Sequence, residues 1–103
     1  MNCYLISYDL LTANKDYEPL YAKIKSLGAW WHHLQSVWVV TTSLGIKEVS
    51  DQLKETMDDR DSLLVIDIRG KRRRGWLTER AWAWLDRNNP VQREGGANGN
   101  LQA

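Results

Sequence analysis

Asp9 closes the run Tyr4-Leu5-Ile6-Ser7-Tyr8, placing a carboxylate at the carboxyl end of an apolar segment. Such a group can ligate Mg²⁺ or another hard cation, and in a two-fold dimer the Asp9 of each copy can share one ion. A water activated by that ion would hydrolyse a phosphodiester. The alternative is that Asp9 ends the strand by accepting from loop N–H groups. Ser7, two residues earlier on the same face, and Asp67, near the end of the last predicted strand, are its candidate neighbours.

A second chemical feature is cationic. Lys71, Arg72, Arg73 and Arg74 are consecutive, with Arg69 before and Arg80 after them and Glu79 the one acid among them. Gly70 and Gly75 bracket the run. It reads as a flexible basic loop that can contact phosphates, with Trp76 placed to stack on a base. Alternatively, the arginines pair with the acids of the second predicted helix or with an acidic partner. His32 and His33 are adjacent in a predicted strand, so they point to opposite faces and cannot chelate one metal as a pair, although either can carry a proton near a phosphate. Cys3 has no base beside it in sequence and reads as an inert buried thiol. As the single cysteine it excludes an internal disulfide and a cysteine metal cluster, as expected of a reducing, cytoplasmic setting.

These groups must be positioned by one small core, which is what 103 residues can build. The ten aromatics are six Trp and four Tyr with no Phe, so each carries an N–H or O–H that needs a partner when buried. Trp38 and Trp84 are assigned to the core. Trp30 and Trp31 are strand neighbours and cannot both face inward. Trp30, Trp31, Trp76 and Trp82 together exceed what a one-layer core hides, so a covered sheet face is expected, the cover being the last helix, a second copy or a foreign partner. Apolar runs such as Leu63 to Ile66 fall far short of the roughly 18 residues of a membrane span, and the first residues lack the basic region of a signal peptide, so no membrane association is expected. Net charge is +1, yet acids crowd Asp51 to Asp61 and cations crowd Arg69 to Arg80.

Periodicity supplies the elements. Asn2 to Leu10 alternates as a strand. Tyr17, Leu20, Tyr21, Ile24 and Leu27 form a helical stripe, with Asp16 as N-cap and Gly28 as stop. Trp30 to Leu34 and Val37 to Thr42 read as strands joined by a Gln35-Ser36 turn. Ser43 can cap a helix carrying Ile46, Val49, Leu53 and Met57, and Ser62 to Ile68 is a further strand. Thr78 caps a short helix with Ala81, Trp82, Trp84 and Leu85, which ends before Pro90. Residues 1–89 thus form one α+β domain, a ferredoxin-like β-α-β-β-α-β antiparallel sheet with an additional C-terminal helix. Residues 90–103, rich in glycine, are expected to be disordered.

The segment Tyr4-Leu5-Ile6-Ser7-Tyr8-Asp9-Leu10, followed by Gln35-Ser36-Val37-Trp38, resembles the CRISPR-associated protein two family of antiviral defence and its small relatives, the VapD-type toxins and SinR-like proteins, over residues 3 to 68. The resemblance implies a homodimer with paired first-strand aspartates, here Asp9, holding a divalent ion for endonuclease cleavage of RNA or DNA, or else a DNA-binding scaffold within a larger complex. Ser36 matches the serine that heads the third strand. The chain departs from the pattern in its first loop, Leu11-Thr12-Ala13-Asn14-Lys15-Asp16, which lacks an arginine pair, and in the basic loop and Trp-rich helix that replace a fifth strand. The expected function is nucleic-acid binding through Lys71, Arg72, Arg73, Arg74 and Trp76, with metal-dependent cleavage at Asp9. A non-enzymatic interaction module, regulating or inhibiting a larger complex through a sheet face or a Trp-rich surface, is the alternative. A third arrangement, with Tyr4 or Tyr8 stacking on bases as in RNA-recognition sheets, lacks aromatics at Val39, Val40 and Thr41.

Overall fold

A computed structural model describes residues 1–92. The glycine-rich stretch from 93 onward, expected to be disordered, lies outside the described residues. The chain divides into two compact units, Met1–Ile68 and a second that begins at Arg69.

The first unit holds β1 (Asn2–Asp9), α1 (Glu18–Ser26), β2 (Ala29–Leu34), β3 (Val37–Thr42), α2 (Ile46–Lys54) and β4 (Ser62–Asp67). The strands form one antiparallel sheet in the order β2-β3-β1-β4, the split βαβ arrangement of an α+β, ferredoxin-like fold. Alternation in β1 sends Tyr4, Ile6 and Tyr8 to the helix-covered face. There they join Trp38 and Val40 of β3, Leu20 and Ile24 of α1, and Val49 and Leu53 of α2. Each aliphatic side chain fully buried in this cluster contributes about 1.5–3 kcal/mol. Tyr4 and Tyr8 are therefore core residues and present no ring for a base, which excludes the RNA-recognition arrangement.

The polar groups of the core aromatics Tyr4, Tyr8 and Trp38 find partners within the unit. The Tyr4 hydroxyl donates to Leu44 O at 2.9 Å, and Trp38 Nε1–H donates to the Tyr8 hydroxyl at 2.9 Å. On the opposite face Cys3, Trp31 and Val39 are buried, whereas Leu64 and Ile66 of the edge strand β4 are 56% and 43% exposed. Cys3 is the buried thiol expected.

Helix ends depart from the sequence reading. Tyr17 occupies the N-cap of α1, and Asp16 instead accepts from Glu18 N–H at 3.0 Å. Gly28 is not a left-handed stop. A Cβ there would lie 2.0 Å from Thr41 O, so the glycine allows β3 to approach the end of α1. Gly45, not Ser43, begins α2.

In the second unit Thr78 caps α3 (Glu79–Asn88), its hydroxyl accepting from Ala81 N–H at 3.2 Å as expected. Ala81 and Leu85 are the buried residues of α3, and Trp84, assigned to the core from sequence, is only half-buried. Among the described residues no helix is long and apolar enough to cross a membrane.

Candidate functional site

The β2–β3 end of the first unit carries an open cleft of about 610 Å³. Asp9, Glu18, Tyr21, Lys25, His32 and Gln35 are among its lining residues. Three local features build it. Gln35-Ser36 makes the expected two-residue turn, with Ser36 in the left-handed region at φ 57°. Ser36 O then accepts from Tyr8 N–H at 3.3 Å, joining the turn to the end of β1. Upstream of the turn, Trp31 pairs with Val39 and Leu34 with Val37, so His32 and His33 together oppose Trp38 in a β-bulge.

The bulge aims the histidines. His32 stacks on Trp38 with ring centroids 3.8 Å apart and planes 13° from parallel, whereas His33 lies against Trp31 at 5.0 Å. They face opposite sides, as the strand period requires. The Nδ1 of His32 is 3.0 Å from Val37 O. A carbonyl only accepts, so that nitrogen carries the proton and Nε2 is left for solvent or a ligand. Tyr21 stacks on Trp38 at 6.2 Å and Trp30 packs on it at 5.5 Å, while Lys25 Nζ sits 5.0 Å over the Trp30 ring. Burial pushes the Tyr8 hydroxyl above its ordinary pKa, opposed by the bond from Trp38 Nε1–H.

Asp9 lines this cleft and is exposed at the end of β1. The chain leaving it is tied down by Asp61, whose carboxylate accepts from the Tyr17 hydroxyl at 2.7 Å, Leu11 N–H at 2.8 Å and Asp58 N–H at 2.9 Å. Desolvation would raise the Asp61 pKa. The donations from Asp58, Leu11 and Tyr17, with the charge of Lys15, outweigh it and hold the carboxyl below its usual range. Asp67 is not a neighbour of Asp9. It pairs with Tyr4, whereas Asp9 pairs with Ser62, which places the two acids at opposite ends of the antiparallel ladder. Among the described residues no three His, Cys, Asp or Glu side chains gather to hold a metal ion. The carboxylates that line the cleft are Asp9 and Glu18, so the described residues offer two acidic donors there.

The basic run lies in the second unit. Arg73 donates to Asn89 O at 2.6 Å and to Leu85 O at 3.1 Å, and reaches Asp86 at 3.4 Å, so its guanidinium closes the carboxyl end of α3. Gly70, at φ 71°, donates to Asn89 Oδ1 at 2.7 Å and accepts from Gln92 N–H at 2.8 Å. Hydrogen bonds from Gly70 and Arg73 thus tie the segment to the end of α3. Lys71, Arg72, Arg74 and Trp76 are exposed on it, Trp76 at 95%.

Sequence reasoning missed Glu18, Tyr21, Lys25 and Gln35 as cleft residues. The i, i+3, i+7 spacing of Glu18, Tyr21 and Lys25 on one helix flank was the available signal. No family model matches the chain, and no solved structure matches it.

Proposed function

We propose that this protein binds single-stranded nucleic acid through the segment after β4. The observation that carries the reading is Trp76, a large aromatic left 95% exposed beside exposed Lys71, Arg72 and Arg74. An aromatic face takes an unstacked base, and the flanking cations take its phosphates. Arg73, bound to carbonyls of α3, holds the loop in shape and is not counted among the phosphate contacts.

Three phosphate contacts give a log affinity that falls against log salt with a slope of about −2 on a single strand, or roughly 20-fold between 50 and 200 mM salt. Fluorescence titration of a labelled oligonucleotide should show that slope, and Lys71→Ala/Arg72→Ala/Arg74→Ala should abolish it. Binding that ignores both salt and Trp76→Ala would overturn the reading.

Cleavage is a further step of this proposal. In the resembled CRISPR-associated family a homodimer pairs two first-strand aspartates, and Asp9 occupies that position. Among the described residues no three such donors gather, so this reading takes the second Asp9 from another copy. A dimer that cleaves, with Asp9→Ala dimeric and inactive, supports it; a monomer, or equal activity in the variant, refutes it.

The exposed Leu64 and Ile66 on edge strand β4 favour a second reading, a protein-interaction module. Its binding would respond to Leu64→Asp and little to salt.

A further inference from the structure

The cleft between β1, α1 and the β2–β3 turn has no part in the loop's reading, and its chemistry is specific. His32 is exposed yet immobilised: one ring face lies on Trp38 at 3.8 Å, and its Nδ1–H is bonded to Val37 O at 3.0 Å. Tyr21 and Trp30 pack on the same indole, at 6.2 and 5.5 Å, so the imidazole belongs to a cluster of rings already assembled. Two carboxylates, Asp9 and Glu18, line the cleft with the Gln35 amide. Lys25 lines it too and makes no ion pair among the described residues.

We propose that this cleft is a guanine nucleotide site, the base stacking on His32 with its ring N–H and amino group donating to a lining carboxylate, and the phosphate meeting Lys25. A ring held rigid before binding costs little order when a second ring stacks on it. A carboxylate has only acceptors, so it selects the base edge that offers two adjacent donors, which guanine has and adenine, cytosine and uracil lack. The Lys25 ammonium, over the Trp30 ring and in no ion pair among the described residues, suits a phosphate as a point charge. The volume of about 610 Å³ lies within the range of small-ligand pockets.

The same chemistry is offered by a free nucleotide and by a guanine within a strand. The test titrates the whole chain with guanosine 5′-monophosphate, adenosine and cytidine monophosphates, guanosine, and a short guanine-containing oligonucleotide, following the His32 and Trp38 ring signals by NMR. Guanosine monophosphate should shift both rings and bind at least tenfold more tightly than the other two nucleotides. His32→Ala should weaken it at least tenfold and His32→Phe should restore it, because a flat ring suffices. Asp9→Asn/Glu18→Gln should erase the preference for guanine, and Lys25→Ala should make guanosine and its monophosphate bind alike.

If the monophosphate binds as well as the oligonucleotide, the source is a free nucleotide; a tenfold advantage for the oligonucleotide that survives Lys71→Ala/Arg72→Ala/Arg74→Ala assigns it to a strand. That loop variant leaves monophosphate binding intact, so failure of the loop and failure of the cleft are read separately. No shift at His32 and Trp38 at millimolar nucleotide, or equal affinity for all bases, overturns the proposal.

Discussion

Trp38 and Trp76 mark the two regions of this molecule by opposite uses of one side chain. Trp38 is 3% exposed, donates its indole N–H to Tyr8 and carries rings on its faces; Trp76 is 95% exposed beside three cations. In the first unit the polar groups of Tyr4, Tyr8, Tyr17 and Trp38 are absorbed by a backbone carbonyl, a carboxylate and one another. In the second, hydrogen bonds of Arg73 to carbonyls at the end of α3 and of Gly70 to Asn89 and Gln92 hold a loop without covering it. A region can thus be tied down and exposed at once when hydrogen bonds to the backbone, not apolar burial, hold it.

The comparison is broken most severely by Trp38→Ala. It removes the indole at the centre of the stack, and a loss of about 3–5 kcal/mol is expected in urea unfolding. If Trp38→Ala cost no more than Trp76→Ala, the two regions would not differ as described. Gly28→Ala comes next, because its Cβ would meet Thr41 O; about 1–3 kcal/mol should be lost by the same measurement.

In the second unit Arg73→Ala should cost about 1–2 kcal/mol of local stability, read as faster amide exchange in the last turn of α3, with weaker oligonucleotide binding and an unchanged salt slope. Trp76→Ala should change stability by less than about 0.5 kcal/mol. Its effect belongs to binding, where the loss of one stacked base amounts to about 1–3 kcal/mol.

The smallest effect concerns pH. The Asp61 carboxyl is held below its ordinary value of 3.8, so its contribution to folding is complete above that pH and is lost as the pH falls through the lower folded value. Stability of wild type and Asp61→Asn, measured as a function of pH, should therefore converge below pH 3.8.

Much of the fold was legible because its signals are local. Alternation in β1 and β4, the Gln35-Ser36 turn, the Thr78 cap and the stripe Leu20 to Ile24 each follow from neighbours in sequence. The site was less legible. Asp9 was visible as a carboxylate ending an apolar run, and the cations as a run, but the run contains one residue, Arg73, whose role differs from that of its neighbours. Gly28 read as a helix stop because the atom that demands it, Thr41 O, is 13 positions away. The bulge at His32-His33 was hidden for a similar reason, since register is a property of two strands.

The sequence by itself determined the order of elements, the α+β class, the alternation of β1 and β4 and the chemistry of the basic run, because periodicity and side-chain chemistry are written in consecutive residues. Only the tertiary structure decided that His32 is locked on Trp38, that Asp67 stands far from Asp9, and that Arg73 organises the loop while Trp76 is left open. Those outcomes depend on which distant backbone atoms and rings meet, and such meetings are selected by packing the whole core at once.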